Sequence, residues 1–201
     1  GSLPTRLDAR RVVVVLADHG EYLGEHDLTG HMYYHFDPCL HVPLLVSGPG
    51  VPAGERRADL VSLVDVFPTL CDLADLDAPA GVEGRSIFGG PSREAVFAEN
   101  GHREAPDLFR THLPAATVDR LERGLKSVRT AEYLYTIDSA GEERLYERPG
   151  EMRVTDPGPE ILASLRERVH RTLGETFPPG AQDDDYGDAI EADLRHLGYL
   201  S

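Results

Sequence analysis

The residues of this chain best suited to chemistry are Asp18 and His19, set side by side at the end of an apolar run and followed by Gly20. A carboxylate offers a hard oxygen and an imidazole a borderline nitrogen, so both can serve one divalent cation if the backbone turns at once. Gly20 permits such a turn. The same three residues would equally suit a helix cap followed by a buried histidine, and alone they leave the two readings level. Histidine is dense just beyond: His19, His26, His31, His35 and His41 fall within twenty-three residues. A structural zinc site would need closed tetrahedral ligation, and no histidine or cysteine spacing on a single element supports it. His26 and His41 are therefore expected to pack or hydrogen-bond locally, and Glu21 and Glu25 to serve the first turns after the Asp-His pair. His102 belongs to a loop that could border a cleft, and Lys126 reads as structural.

The elements that must position these groups are legible in the hydrophobic pattern. Residues 12–17 (VVVVLA) form a continuous β-branched apolar run, the signature of a strand buried on both faces, as in a parallel sheet. In open α/β sheets ligands bind beyond the carboxyl ends of strands, which is where Asp18 and His19 lie. Residues 44–46 predict a second short strand, closed by Ser47-Gly48-Pro49-Gly50. Residues 60–76 show helical spacing, with Leu63, Val66, Phe67, Leu70, Leu73 and Ala74 on one side, Asp65 available as a cap and Pro68 tolerable only in the first turn. Residues 95–98 are a further strand candidate, and 101–117, rich in Pro, His and charge, read as loop. Beyond residue 125 alternating segments around Ser139-Ala140-Gly141 predict antiparallel hairpins. Residues 159–173 predict an amphipathic helix opened by Pro159 and ended by Gly174. An acidic loop over 182–187 and a short helix over 188–197 complete the reading. The expected architecture is an α/β layer with a parallel sheet over residues 1–117, then a small antiparallel α+β subdomain over 118–201.

Composition bounds the partners. The chain has 201 residues, with 35 acidic against 20 basic side chains and a formal charge of −15. Such a surface repels nucleic acid and anionic membrane, so neither is an expected partner. Only one of the basic residues is a lysine, Lys126. The acidic excess suits a chain adapted to high salt, where screening removes self-repulsion. The two cysteines, Cys39 and Cys71, lie in apolar runs and make no disulfide framework. No apolar run approaches the ~18 residues of a membrane helix. Gly1-Ser2-Leu3-Pro4 is neither a signal nor a transit peptide, which favours the cytoplasm as an expectation only.

Around the Asp-His pair the chain reads Asp18-His19-Gly20-Glu21-Tyr22-Leu23-Gly24-Glu25-His26-Asp27-Leu28, then Gly30-His31, then Val42-Pro43-Leu44-Leu45-Val46-Ser47-Gly48-Pro49-Gly50. This resembles the segment of the sulfatase family, in the alkaline-phosphatase superfamily, written roughly D-H-G-E-x-L-G-E-H-G-L, G-H or G-K, V-P-L-x-V-x-G-P-G. The similarity continues in order through Leu63-Val64-Asp65-Val66-Phe67-Pro68-Thr69-Leu70, Gly84-Arg85-Ser86, Val128-Arg129-Thr130, Leu145-Tyr146-Glu147 and Leu194-Arg195-His196-Leu197-Gly198-Tyr199-Leu200. It implies a partial alkaline-phosphatase-like α/β/α sandwich and the carboxyl-terminal half of a sulfatase. By the same resemblance Asp18 and His19 match a pair of metal ligands. His31 matches a Lys or His that contacts the sulfate or the leaving oxygen. The implied cation is calcium, and histidine at position 19, where many sulfatases have asparagine, leaves manganese or zinc open.

Sulfatases use a formylglycine made from Cys or Ser in a C/S-x-P-x-R motif as the nucleophile. Neither cysteine here has that context, and Pro91-Ser92-Arg93 has Gly89 where the nucleophile would stand. The resemblance thus implies hydrolysis of a sulfate monoester on a sulfated small molecule or glycan. It also implies a fragment that is inactive alone: in order, a truncation of a larger enzyme, a half that pairs with the missing amino-terminal half of the enzyme, or a degenerate relative. Hydrolysis of a phosphoester or phosphonate, or a non-catalytic sulfatase-like module, are the alternatives.

Overall fold

In a computed structural model, residues 11–31, 33–105, 107–112 and 114–179 are described; the acidic loop and final helix expected over 182–197 lie outside them. The first apolar run forms β1 (Val13–Leu16). A loop follows with the short strands β2 (Tyr22–Leu23) and β3 (Thr29–Gly30), a 3₁₀ turn at Glu25–Asp27 and the single helical turn α1 (Asp37–Leu40). The chain then returns as β4 (Leu44–Ser47), which pairs with β1 in antiparallel register, Val15 facing Leu45 and Val14 facing Val46. The parallel pairing expected for these two runs is not what the structure shows. A run of β-branched residues favours a strand but does not set the direction of its neighbour, and the burial expected on both faces is not found either, since Val15 is 55% exposed.

Helix α2 (Val66–Leu73) follows a 3₁₀ turn at Leu63–Asp65. Its start is a capping box: the Ser62 side chain accepts from the backbone at Asp65, and the Asp65 carboxylate accepts from the Ser62 amide. Pro68 falls in the first turn, where no backbone hydrogen bond is lost. The helix lies on one face of the β1–β4 ribbon, where Val14, Leu44 and Val46 share a small apolar pocket with Val66, Leu70 and Ile87.

The larger unit is a five-stranded antiparallel sheet in sequence order. Its strands are β5 (Val96–Asn100), β6 (Leu125–Arg129), β7 (Tyr133–Asp138), β8 (Glu143–Glu147) and β9 (Met152–Arg153). Between β5 and β6, where a loop was expected, stand α3 (Asp107–His112) and α4 (Ala115–Glu122). Val118 and Leu121 of α4 are buried at a spacing of three, enough to anchor a two-turn helix within an otherwise polar segment. The amphipathic helix α5 spans Pro159–Leu173, with Pro159 in its first turn and Gly174 at its carboxyl cap, as the sequence predicts.

Strand alternation divides the work of the sheet. Ala95, Val128, Tyr135 and Leu145 point to one face and form a core with Leu165 and Val169 of α5. Burying each such aliphatic side chain contributes ~1.5–3 kcal/mol. Lys126 shares that face, and its ammonium donates to the carbonyls of Leu173, Gly174 and Thr176, satisfying the end of α5. The opposite face presents Leu134 and Tyr146, which pack with Tyr22, Phe36 and Cys39 of the loop between β1 and β4. The sheet is thus covered on both sides, by α5 and by the loop that follows Asp18 and His19. Among the described residues no helix is long and apolar enough to cross a membrane.

Candidate functional site

Asp18 and His19 leave the end of β1 just before a sharp crossing of the chain. The Gly20 amide donates to the Cys39 carbonyl at 2.7 Å and the Glu21 amide to the Pro38 carbonyl at 3.1 Å. A Cβ on residue 20 would overlap the Pro38 carbonyl oxygen, so this approach demands glycine. The turn is therefore the one the sequence implies, but its partner is α1 rather than a neighbouring strand.

The His19 amide donates to Asp18 Oδ1 at 3.0 Å, and the Asp18 carboxyl is held below its ordinary value by that backbone bond together with the nearby His19 ring. His19 Nδ1 lies 2.9 Å from the Gly20 carbonyl oxygen. Donation to that carbonyl fixes the tautomer with the proton on Nδ1 and leaves the Nε2 lone pair available. Nε2 stands 3.9 Å from Asp18 Oδ2. Two donors at that separation can share one cation whose bonds are ~2.0–2.6 Å long. Both side chains are open to solvent, 91% exposed for Asp18 and 44% for His19.

His31 arrives from β3 and stacks on His19, ring centroids 4.3 Å apart and planes 18° from parallel. Its Nδ1 is 3.4 Å from Glu21 Oε2. Its backbone carbonyl accepts from the Cys39 thiol at 3.3 Å, which ties the loop to α1. The structure thus brings all three expected residues together, and adds Glu21, which sits beside the His31 ring rather than serving only a first turn. Glu25 does serve its turn, accepting from the Leu23 amide at 2.7 Å. Asp18 and His19 fit a divalent cation as part of a ligand set; among the described residues no group of three or more His, Cys, Asp or Glu side chains could hold a metal.

The loop is fixed from beneath by His26, expected to bond locally but bonded instead to a residue 125 positions away, and by groups to which the sequence assigns no role. His26, in the left-handed region at φ 56°, stacks on Phe36 with centroids 3.9 Å apart, and its Nε2 lies 3.0 Å from Glu151 Oε2. Glu151 also accepts from the Asp37 amide at 2.8 Å and from Arg129 at 3.1 Å. Arg129 binds the Asp37 carboxylate as well, and donates to the His35 carbonyl at 2.9 Å. Arg129 and Glu151 are both buried, so these are strong bonds whose loss would strand a charge. His35 is buried with Nδ1 2.8 Å from Ser127 Oγ, and burial pushes its imidazole down to about 4. Each of these contacts spans at least twenty-two residues, most of them about a hundred, which is why no local pattern announces them.

The remaining candidates resolve into structural roles. The Pro91-Ser92-Arg93 segment holds the α2 unit together: Ser92 bonds Asp59, and Arg93 clamps the Asp65 carboxylate. Cys39 is buried and Cys71 half-buried, and both are free thiols. Lys126 is structural, as expected.

Known proteins agree with this picture. The family model described as Sulfatase matches residues 5–76. The Delta 4,5-hexuronate-2-O-sulfatase of Bacteroides thetaiotaomicron is 28% identical over 192 residues, a match that covers 92% of this chain and 38% of that protein. Human arylsulfatase K is 38% identical over 171 residues, covering 82% of this chain and 31% of its own length. The solved structure of a 2-O GAG sulfatase superposes with a TM-score of 0.62 at 26% identity, covering 92% of this chain and 38% of that one. The fold is accordingly that of a sulfatase portion, with mixed α/β layers and an antiparallel sheet. The chain belongs to the sulfatase family, and spans about a third of the length of these members.

Proposed function

We propose that the chain supplies part of the active site of a metal-dependent sulfuric ester hydrolase. The observation that carries the reading is the convergence of Asp18, His19 and His31 on one exposed spot at the tip of β1. Sulfatases generally use a divalent cation, and here Asp18 Oδ2 and His19 Nε2 are the groups that would hold it. When bound, such a cation polarises the ester oxyanion. Calcium is the first candidate, with manganese or zinc favoured if the imidazole is a true ligand. His31 is placed to donate a proton or hydrogen bond to the ester oxygen as the sulfur–oxygen bond breaks. Glu21 beside Nδ1 and the His19 ring beneath hold the imidazole in one orientation, leaving Nε2 for the substrate. The substrate class is a sulfated sugar or other sulfated small molecule. This reading draws on the names of the hexuronate and 2-O GAG sulfatases that the chain resembles.

Manganese titration followed by NMR line broadening tests the ligand assignment on the chain itself. The resonances of Asp18 and His19 should broaden first, and Asp18→Asn should abolish the effect. Broadening centred instead on the acidic surface at Asp72, Asp75 and Asp77 would sink the assignment. The chain alone should not turn over a chromogenic aryl sulfate. In the active enzyme, His31→Ala should lower kcat by about 10²–10⁴-fold. A preference for a phosphonate or phosphate ester over the sulfate would move the reaction to the alternative chemistry.

A further inference from the structure

We propose that Glu151, in the turn between β8 and β9, is a positioning residue for the site at the tip of β1, setting the contact of the His19 and His31 rings through two arms of the loop that carries them. The inference rests on the reading of Asp18, His19 and His31 as one site, and adds a residue that acts on them through others.

The first arm is the hairpin of β2 and β3, with His26 in its turn and His31 directly after β3. The second arm is α1, on which the site closes twice. The Gly20 amide donates to the Cys39 carbonyl at 2.7 Å, and the Cys39 thiol donates to the His31 carbonyl at 3.3 Å. Burial pushes that thiol up, which keeps it a neutral donor. Helix α1 therefore governs how far His31 stands from the strand end that bears Asp18 and His19.

Glu151 grips both arms, with separate oxygens. Oε2 lies 3.0 Å from His26 Nε2, which donates, since a carboxylate can only accept. Oε1 accepts at 2.8 Å from the amide of Asp37, the first residue of α1, and at 3.1 Å from Arg129. The carboxylate is buried, so these charge-assisted bonds are stronger than their surface counterparts. Both arms are thereby fixed to the sheet. The backbone carries a second sign of the same demand. His26 and Glu151, bonded side chain to side chain, both lie in the left-handed region, at φ 56° and 51°. A residue with a Cβ stays there only where its surroundings enforce it, and such residues gather at functional sites. Apolar packing of the loop needs neither device, since Tyr22, Phe36 and Cys39 already bury against Leu134 and Tyr146. The carboxylate supplies direction, which apolar contact lacks.

The test is made on the chain itself by NMR, reading cross-relaxation between the His19 and His31 ring protons in metal-free buffer. Glu151→Ala frees both arms. It should displace His31 by about 1 Å and weaken that signal by about threefold or more, a misplacement able to cost up to about 10²-fold in rate. Glu151→Gln keeps an oxygen for Asp37 and Arg129 but turns an amide N–H toward His26. It should release the hairpin alone and give a smaller loss, and it serves if the alanine variant fails to fold. Leu145→Ala, which weakens the sheet from the α5 side, should leave the ring contact unchanged in the folded protein. In the active enzyme Glu151→Gln should lower kcat by about tenfold with KM within about twofold. An unchanged ring contact in both Glu151 variants overturns the proposal. So does an equal loss in Leu145→Ala, which would reduce the effect to sheet stability. Loss of the ring contact with kcat unchanged would uphold Glu151 as the group that sets the rings, and overturn instead the reading of His31 as the group that acts on the ester.

Discussion

Val128, Leu134 and Tyr135 in the five-stranded sheet are wholly inaccessible to water, whereas Val15 and Leu45 in the ribbon are each more than half exposed. The ribbon strands, VVVL and LLVS, are the more apolar, against LKSVR and ERLYE in the sheet. The difference is in what covers them. The large sheet carries α5 on one face and the loop after His19 on the other, so its central strands β6 and β7 are buried on both sides. The ribbon has α2 on one side and solvent on the other. The sheet is covered on both faces and holds the loop after His19, while the ribbon that delivers Asp18 and His19 has one face open to water.

The sharpest test of the scaffold is Arg129→Met, which leaves Glu151 and Asp37 without their buried cation. It should cost about 3–5 kcal/mol in urea unfolding, and it should also loosen the loop, seen as faster amide exchange at Phe36 and Asp37. A cost below 1 kcal/mol would mean that the loop is held by apolar packing alone. Next comes a matched pair of leucines. Leu145→Ala in the sheet should cost ~2–5 kcal/mol, whereas Leu45→Ala in the ribbon should change stability by no more than ~0.5 kcal/mol. Equal costs would abolish the distinction between the two units.

The pH dependence separates the units further. His35 titrates at about 4 in the folded chain because of burial, against ~6.5 unfolded. Between these values the unfolded chain binds the proton and the folded chain does not, so stability falls as pH drops from 6.5 to 4. The loss should be about 3 kcal/mol at most, and His35→Gln should flatten that part of the curve measured by chemical denaturation. Persistence of the slope in the variant would place the sensitive group elsewhere. The smallest effect is expected at the exposed carboxylate: Asp18→Asn should alter stability in metal-free buffer by no more than ~0.5 kcal/mol, since nothing is buried by it. A larger loss would make Asp18 a structural cap, the competing reading of the Asp-His-Gly turn.

What could be read in advance follows the range of the interactions concerned. The limits of α5 were legible because Pro159, Gly174 and the helical period are local signals. The proximity of Asp18, His19 and His31 was legible because a family pattern places them within fourteen residues. The antiparallel pairing of β1 with β4 was not, because an apolar run favours a strand and does not set the direction of its neighbour. Helix α4 was hidden by Pro114 and its charged neighbours, with Val118 and Leu121 as its only apolar anchors buried in the sequence-scale pattern. His35, Arg129 and Glu151 could not be joined on paper, since His35 and its partner Ser127 are separated by ninety-two positions. Non-local polar bonds leave no periodic trace.

The single lysine of this chain has a practical corollary. With its ammonium sealed beneath α5 and bound to three carbonyls, the one side-chain amine of the sequence is closed to amine-directed reagents in the folded state. Acylation at Lys126 would therefore report opening of the interface between α5 and the sheet, giving a chemical clock for that unit that is blind to the ribbon.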